Sequence, residues 1–114
     1  MTSNGNIYLL QYASFINEEV LKENIKKLDY YLIYELDNKY YVYIGAYTNL
    51  DTALKMQKYF EEKEIYTYLK NDYLSDDKAI NEIDKYDVKI LKEDDREKIN
   101  NLNKNVINFL KTNF

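Results

Sequence analysis

The chain contains no cysteine, no histidine and no tryptophan. Without cysteine there is no disulfide, thiolate nucleophile or redox chemistry, and cysteine usage carries no information about compartment. Without histidine the commonest general base and the commonest metal ligand are both missing, so no metal and no cofactor are expected. Cations are in deficit, with 16 Lys and Arg against 20 Asp and Glu and a formal net charge of −4. A surface that tracks phosphates needs clustered Lys and Arg, so nucleic acid is not an expected partner. No apolar run approaches the roughly 18 residues of a membrane span, and no leader of charged, apolar and small residues opens the chain. Membrane insertion by this chain is not expected, and any anchor or export signal is expected to lie outside it.

What is present in excess is tyrosine, 14 residues against four phenylalanines. The 114 residues suit one domain, which at this size buries roughly two-thirds of the surface its unfolded form exposes. Within it a unit of strand, small-residue corner, helix and strand occurs twice. Tyr8-Leu9-Leu10-Gln11-Tyr12-Ala13-Ser14-Phe15 lies over Tyr40-Tyr41-Val42-Tyr43-Ile44-Gly45-Ala46-Tyr47 at an offset of 32 residues, which carries through to Ile33-Tyr34 over Ile65-Tyr66. Residue class matches better than identity: strand character at Leu10/Val42 and Tyr12/Ile44, small corners at Ala13/Gly45 and Ser14/Ala46, an aromatic after each at Phe15/Tyr47. Two copies are too few for a solenoid and predict two halves packed into one domain.

The pattern predicts strands over Ile7–Tyr12, Tyr30–Leu36, Tyr40–Ile44 and Ile65–Leu69. Asp37-Asn38 suits the positive φ values of a tight hairpin. Asn17 and Asn49 cap two helices, the first over about Glu18–Leu28 and the second ending near Lys63. The order βαββαβ with right-handed crossovers gives an α+β fold, the ferredoxin-like split βαβ: a four-stranded antiparallel sheet, helices on one face, the first and third strands central. A C-terminal helical extension follows. Ser75 is expected to cap a helix through about Tyr86 with Ala79, Ile80 and Ile83 on its apolar side. Asp94 or Asp95 starts another, carrying the stripe Ile99, Leu102, Val106 and Phe109. Such a stripe either folds back on the domain or pairs with another chain. The expected division is a disordered lead-in over 1–6, the duplicated domain over 7–70 and the helical extension over 75–112.

Alternation places Leu10, Val42 and Ile44 toward the helices and Leu9, Gln11, Tyr41 and Tyr43 on the open face. Phenol rings pack on the apolar faces of pyranose rings, and an amide offers donor and acceptor to hydroxyl and acetamido groups, so Gln11, Tyr41 and Tyr43 form a reasonable sugar-binding surface. The same tyrosines also suit plain stabilisation of a half-exposed sheet, Tyr being a normal strand residue.

Leu10-Gln11-Tyr12-Ala13-Ser14-Phe15 resembles the V-Q-V-G-S-F opening of SPOR domains, and Tyr40-Tyr41-Val42-Tyr43-Ile44-Gly45-Ala46-Tyr47 resembles their second-half Y-R-V-x-V-G-P-F, with Ala53 at the family's usual alanine position. The resemblance covers roughly Ile7 to Leu69. Ala13 replaces the first-half glycine, and Tyr41 stands where the family often has arginine. SPOR domains are bacterial envelope modules of this fold that bind peptidoglycan glycan strands stripped of stem peptides at division septa and in sporulation. The resemblance implies an extracytoplasmic glycan-binding module with Gln11, Ser14, Tyr41 and Tyr43 at or near the glycan. Two other readings stay open: a protein-interaction module working through the C-terminal helix, and a regulatory or small-molecule domain on the same fold.

Catalysis is not expected. Glu18-Glu19, Asp76-Asp77 and Glu93-Asp94-Asp95 sit at predicted helix starts, where carboxylates stabilise the helix dipole. No nucleophile-and-base pattern accompanies them.

Overall fold

The computed structural model describes residues 5–113. The elements in order are β1 (Asn6–Phe15), α1 (Glu18–Asn24) prolonged by a 3-10 turn over Ile25–Lys27, β2 (Leu32–Leu36), β3 (Lys39–Tyr47), α2 (Leu50–Glu61), β4 (Tyr68–Tyr73), α3 (Asp77–Lys92) and α4 (Arg96–Asn113). The strands form one antiparallel sheet in the order β2-β3-β1-β4, with the first and third strands central as the sequence predicts. The fold is the α+β, ferredoxin-like arrangement with a C-terminal helical extension.

Local chemistry sets most boundaries. Asn17 Oδ1 accepts from Glu19 and Val20 N–H, and Asn49 Oδ1 accepts from Asp51 N–H, starting α1 and α2. Asp37 and Asn38 hold φ of 52° and 64°, the pair of left-handed residues that a two-residue hairpin needs. Asp76 rather than Ser75 caps α3, and Asp95 Oδ1 accepts from Glu97 and Lys98 N–H at the start of α4. Of the six-residue lead-in expected to be disordered, residues 1–4 lie outside the described residues. Gly5 and Asn6 belong to the fold, since Gly5 C=O accepts from Leu74 N–H and Asn6 pairs with Tyr73.

The fourth strand departs from expectation. Glu64 takes φ 63°, Glu64 N–H donates to Glu61 C=O and Ile65 N–H donates to Phe60 C=O. This is a Schellman stop, and it uses the Ile65 backbone to end α2. Ile65 is therefore not a strand residue; β4 starts at Tyr68 and runs on to Tyr73. The 32-residue offset holds for the first strands and helices of the two halves and fails at Ile33-Tyr34 over Ile65-Tyr66.

Residues opposite each other in neighbouring strands share a face of the sheet. One face carries Leu10, Val42, Ile44 and Tyr47, all buried, with Ile44 facing Leu28 and Phe60 of the helical layer. The tail does not form a second unit. Ile80, Ile83 and Ile90 of α3 and Ile99, Val106, Ile107 and Leu110 of α4 belong to the same hydrophobic cluster as the sheet and α2. The buried face of α4 is rotated from the expected stripe: Asn103 and Ile107 are fully enclosed, whereas Leu102 and Phe109 lie at the margin.

Two buried polar residues tie this tail down. Asn103 Oδ1 accepts from the Tyr47 hydroxyl at 2.5 Å, and its Nδ2 donates to Tyr30 Oη and to Ile44 C=O, both at 2.9 Å. Tyr30 then donates to Asn100 Oδ1 at 2.9 Å. Burial pushes the Tyr30 and Tyr47 phenols up, so both remain neutral donors. From α3, Asp87 Oδ2 accepts from Thr48 N–H, Asn49 N–H and the Thr48 hydroxyl, each at 2.7 Å. Lys55 of α2 donates to the carbonyls of Ile90, Leu91 and Glu93, neutralising the end of α3.

Removing the Asn103 amide leaves the Tyr47 hydroxyl and Ile44 carbonyl without partners, at about 1–3 kcal/mol for each buried group. Asn103→Ala is expected to lose about 3 kcal/mol or more, measured by urea denaturation followed by circular dichroism. Asp87 gives a second expectation. Burial raises its carboxyl to about 6 from 3.8, against the lowering effect of its hydrogen bonds. A raised folded-state value means that the native state binds the extra proton, so this group's contribution is fully present below pH about 4 and fades as pH rises through about 6. Between pH 4 and 7, Asp87→Asn should gain on the wild type by up to about 3 kcal/mol. A stability difference that stays flat across this range would show that Asp87 does not titrate in it.

Candidate functional site

The site lies on the sheet face opposite Leu10, Val42 and Tyr47. Two irregularities in the β1–β3 ladder build it. Pairing runs Leu10↔Gly45, then Gln11↔Tyr43, then Ala13↔Val42 and Ser14↔Tyr41, so Ile44 on one strand and Tyr12 on the other are left unmatched. Such bulges re-aim side chains. Ser14, three residues from Gln11, would lie on the opposite face under strict alternation. The unmatched Tyr12 brings it onto the same face.

The four residues singled out in the sequence therefore share one face as two cross-strand pairs, Gln11 with Tyr43 and Ser14 with Tyr41. Their exposure differs. Gln11, Ser14 and Tyr41 are half-buried, and Tyr43 is buried at 5% exposure. Leu9 and Tyr43, expected to be open to solvent, are enclosed together with Ile7 and Ala46 on this face. The reason is α4. Beyond Leu32↔Tyr43, β3 has no β2 partner, and α4 passes this uncovered stretch: Asn103 meets Tyr47 and Ile44 there, and Leu110 arrives on the site face beside Leu9 and Tyr43.

The tail borders the face without closing it. A groove of about 380 Å³ remains, floored by Ile7, Leu9, Leu32 and Tyr43 and edged by Tyr34, Lys70 and Tyr73. Of the four expected residues only Tyr43 lines it; Gln11, Ser14 and Tyr41 continue the same face beyond it. Tyr34, opposite Tyr41, and Tyr68, opposite Gln11, are 52% and 66% exposed and widen the aromatic surface to both sheet edges.

Lys70 is the functional candidate that sequence reasoning missed. It stands on β4 opposite Leu9, and its Nζ donates to Tyr43 Oη at 3.2 Å while lying 5.3 Å from the centre of the Tyr41 ring. Lys39 flanks the same ring at 5.8 Å. The hydrogen bond it donates to Tyr43 raises the Lys70 ammonium above its ordinary value, so it is fully charged at neutral pH. A strand ended at Leu69 hides this residue. Once β4 is carried through Tyr73, alternation sets Tyr68, Lys70 and Asp72 on the site face.

Hydroxyls, an amide, half-exposed phenol faces and two cations can hold a hydroxylated ligand by stacking and hydrogen bonds. The carboxyl with a strongly shifted titration, Asp87, is enclosed against the Thr48-Asn49 corner, and among the described residues no group of three acidic side chains is placed to hold a metal ion. No described helix is long and apolar enough to cross a membrane.

Comparison of the chain with protein-family models, with curated proteins and with solved structures finds no match. The resemblance to SPOR domains rests on the residues quoted for it.

Proposed function

We propose that this chain is a non-catalytic module that binds the glycan strands of peptidoglycan in the bacterial envelope, in division or sporulation. One observation carries the reading: the paired bulges that gather Gln11, Ser14, Tyr41 and Tyr43 on the sheet face away from the paired helices, beside a groove that α4 leaves open. Central-strand phenols present flat apolar surface to sugar rings, and Gln11 and Ser14 supply the directional hydrogen bonds.

The alternative of a partner protein held by the C-terminal helix finds less support. Ile99 and Val106 of its stripe are buried in the chain's own core.

Pull-down of the purified chain on cell-wall sacculi, before and after amidase treatment, tests the proposal; absence of binding by the folded chain in both cases would sink it. Gln11→Ala and Tyr41→Ala are expected to weaken binding roughly tenfold each, equivalent to about 1.4 kcal/mol, with little change in thermal midpoint. Tyr43 needs Phe rather than Ala, because truncating a ring this buried costs about 3–5 kcal/mol of stability and confuses the two effects. Loss of stability in step with loss of binding would assign Gln11 and Tyr41 to packing.

A further inference from the structure

The groove beside Tyr43 contains a cation with unused valence. Lys70 Nζ has three donors, of which one goes to Tyr43 Oη. None of the ion pairs among the described residues includes Lys70, and its charge is thus not neutralised by a carboxylate at contact distance. Tyr43 Oη receives that bond and keeps its own proton for a further acceptor. The result is two donors 3.2 Å apart at the rim of an apolar floor. A carboxylate, with two oxygens on one carbon and a single negative charge, fits such a pair.

Charge narrows the choice. Asp72, on the same strand and face, also lines the groove and disfavours a dianion such as a phosphate monoester. Asp72 acts on the Lys70 ammonium through space but forms no contact pair with it, which leaves the remaining ammonium donors for a ligand in the groove. The floor of Ile7, Leu9 and Leu32 suits the apolar face of a ring or a short methyl-bearing substituent.

Resting on the glycan-binding reading above, we propose that Lys70 and the Tyr43 hydroxyl form a two-donor clamp for a carboxylate, so that the groove selects carboxylate-bearing over neutral sugars. Lys70 is the specificity-determining residue and Tyr43 its positioning partner.

Glycan strands whose lactyl carboxylates are freed by amidase provide the probe, against the same strands after carbodiimide conversion of those carboxylates to amides. Isothermal titration with the whole chain is expected to give at least tenfold tighter binding to the carboxylate form, an advantage that shrinks as salt rises. Lys70→Met, which keeps an unbranched apolar side chain but removes the ammonium, should bind both forms alike, and Lys70→Arg should retain the preference. Equal wild-type affinity for the two forms, or a preference that survives in Lys70→Met, overturns the clamp and leaves glycan binding standing. Failure of the wild type to bind either form overturns both. If Lys70→Met does not fold, the wild-type comparison of the two strands decides alone.

Discussion

The buried amide of Asn103 is the contact on which the rest of this structure depends. Ile44 sits where the β1–β3 ladder skips a residue and where β2 has already ended, so its carbonyl needs a partner from outside the sheet. Asn103 Nδ2 supplies one, and the same amide joins Tyr47 of β3 to Tyr30 ahead of β2. Three bonds to a fully buried amide fix the rotation of α4, because any other rotation leaves several polar groups unpaired. That rotation carries Leu110 to the site face, encloses Tyr43 and defines the wall of the groove. The candidate surface on one side of the sheet is thus held in shape by a hydrogen-bond network on the other.

The two halves of the duplication share a scaffold and divide the work unequally. Gly45 is one reason. A Cβ at this position would overlap the Tyr47 ring, which lies across it on its way to Asn103. The matching position in the first half is Ala13, which carries a Cβ and is only half-buried. The second corner also receives Asp87 on the N–H groups of Thr48 and Asn49, whereas the first corner's helix is capped by Asn17 alone. Both anchors of the tail therefore reach the second half, whereas the first half meets Asn103 through Tyr30 and presents Gln11 and Ser14 on the opposite face.

What was legible in the sequence follows from which forces act locally. The strands β1 to β3, the Asp37-Asn38 hairpin and the Asn17 and Asn49 caps depend on neighbours a few residues away, and the pattern shows them. The end of α3 does not. Asp87 occupies the position where the apolar period should continue from Ile83 to Ile90, so the helix looks finished at Tyr86 although it runs to Lys92. Asn103 breaks the period of α4 in the same way and turns its apparent apolar stripe off the true buried face. In both helices the misleading residue is a polar group whose burial is made tolerable only by partners more than 30 residues away.

The candidate site divides along the same line. Gln11, Tyr41 and Tyr43 share a face by simple alternation, but Ser14 joins them only through the unmatched Tyr12, and no local propensity marks a bulge there. Lys70 was hidden by the stop at Glu64, where a non-glycine residue adopts the left-handed conformation that usually identifies a helix end by its glycine. The displaced strand start changes which side chains reach the candidate face. A strand from Ile65 would end at Leu69, whereas the one from Tyr68 brings Lys70 across Leu9 to the Tyr43 hydroxyl and Asp72 into the same groove. The positive charge on this face thus comes from the edge strand, and the helix stop that delays β4 is what puts it beside the Tyr41 ring.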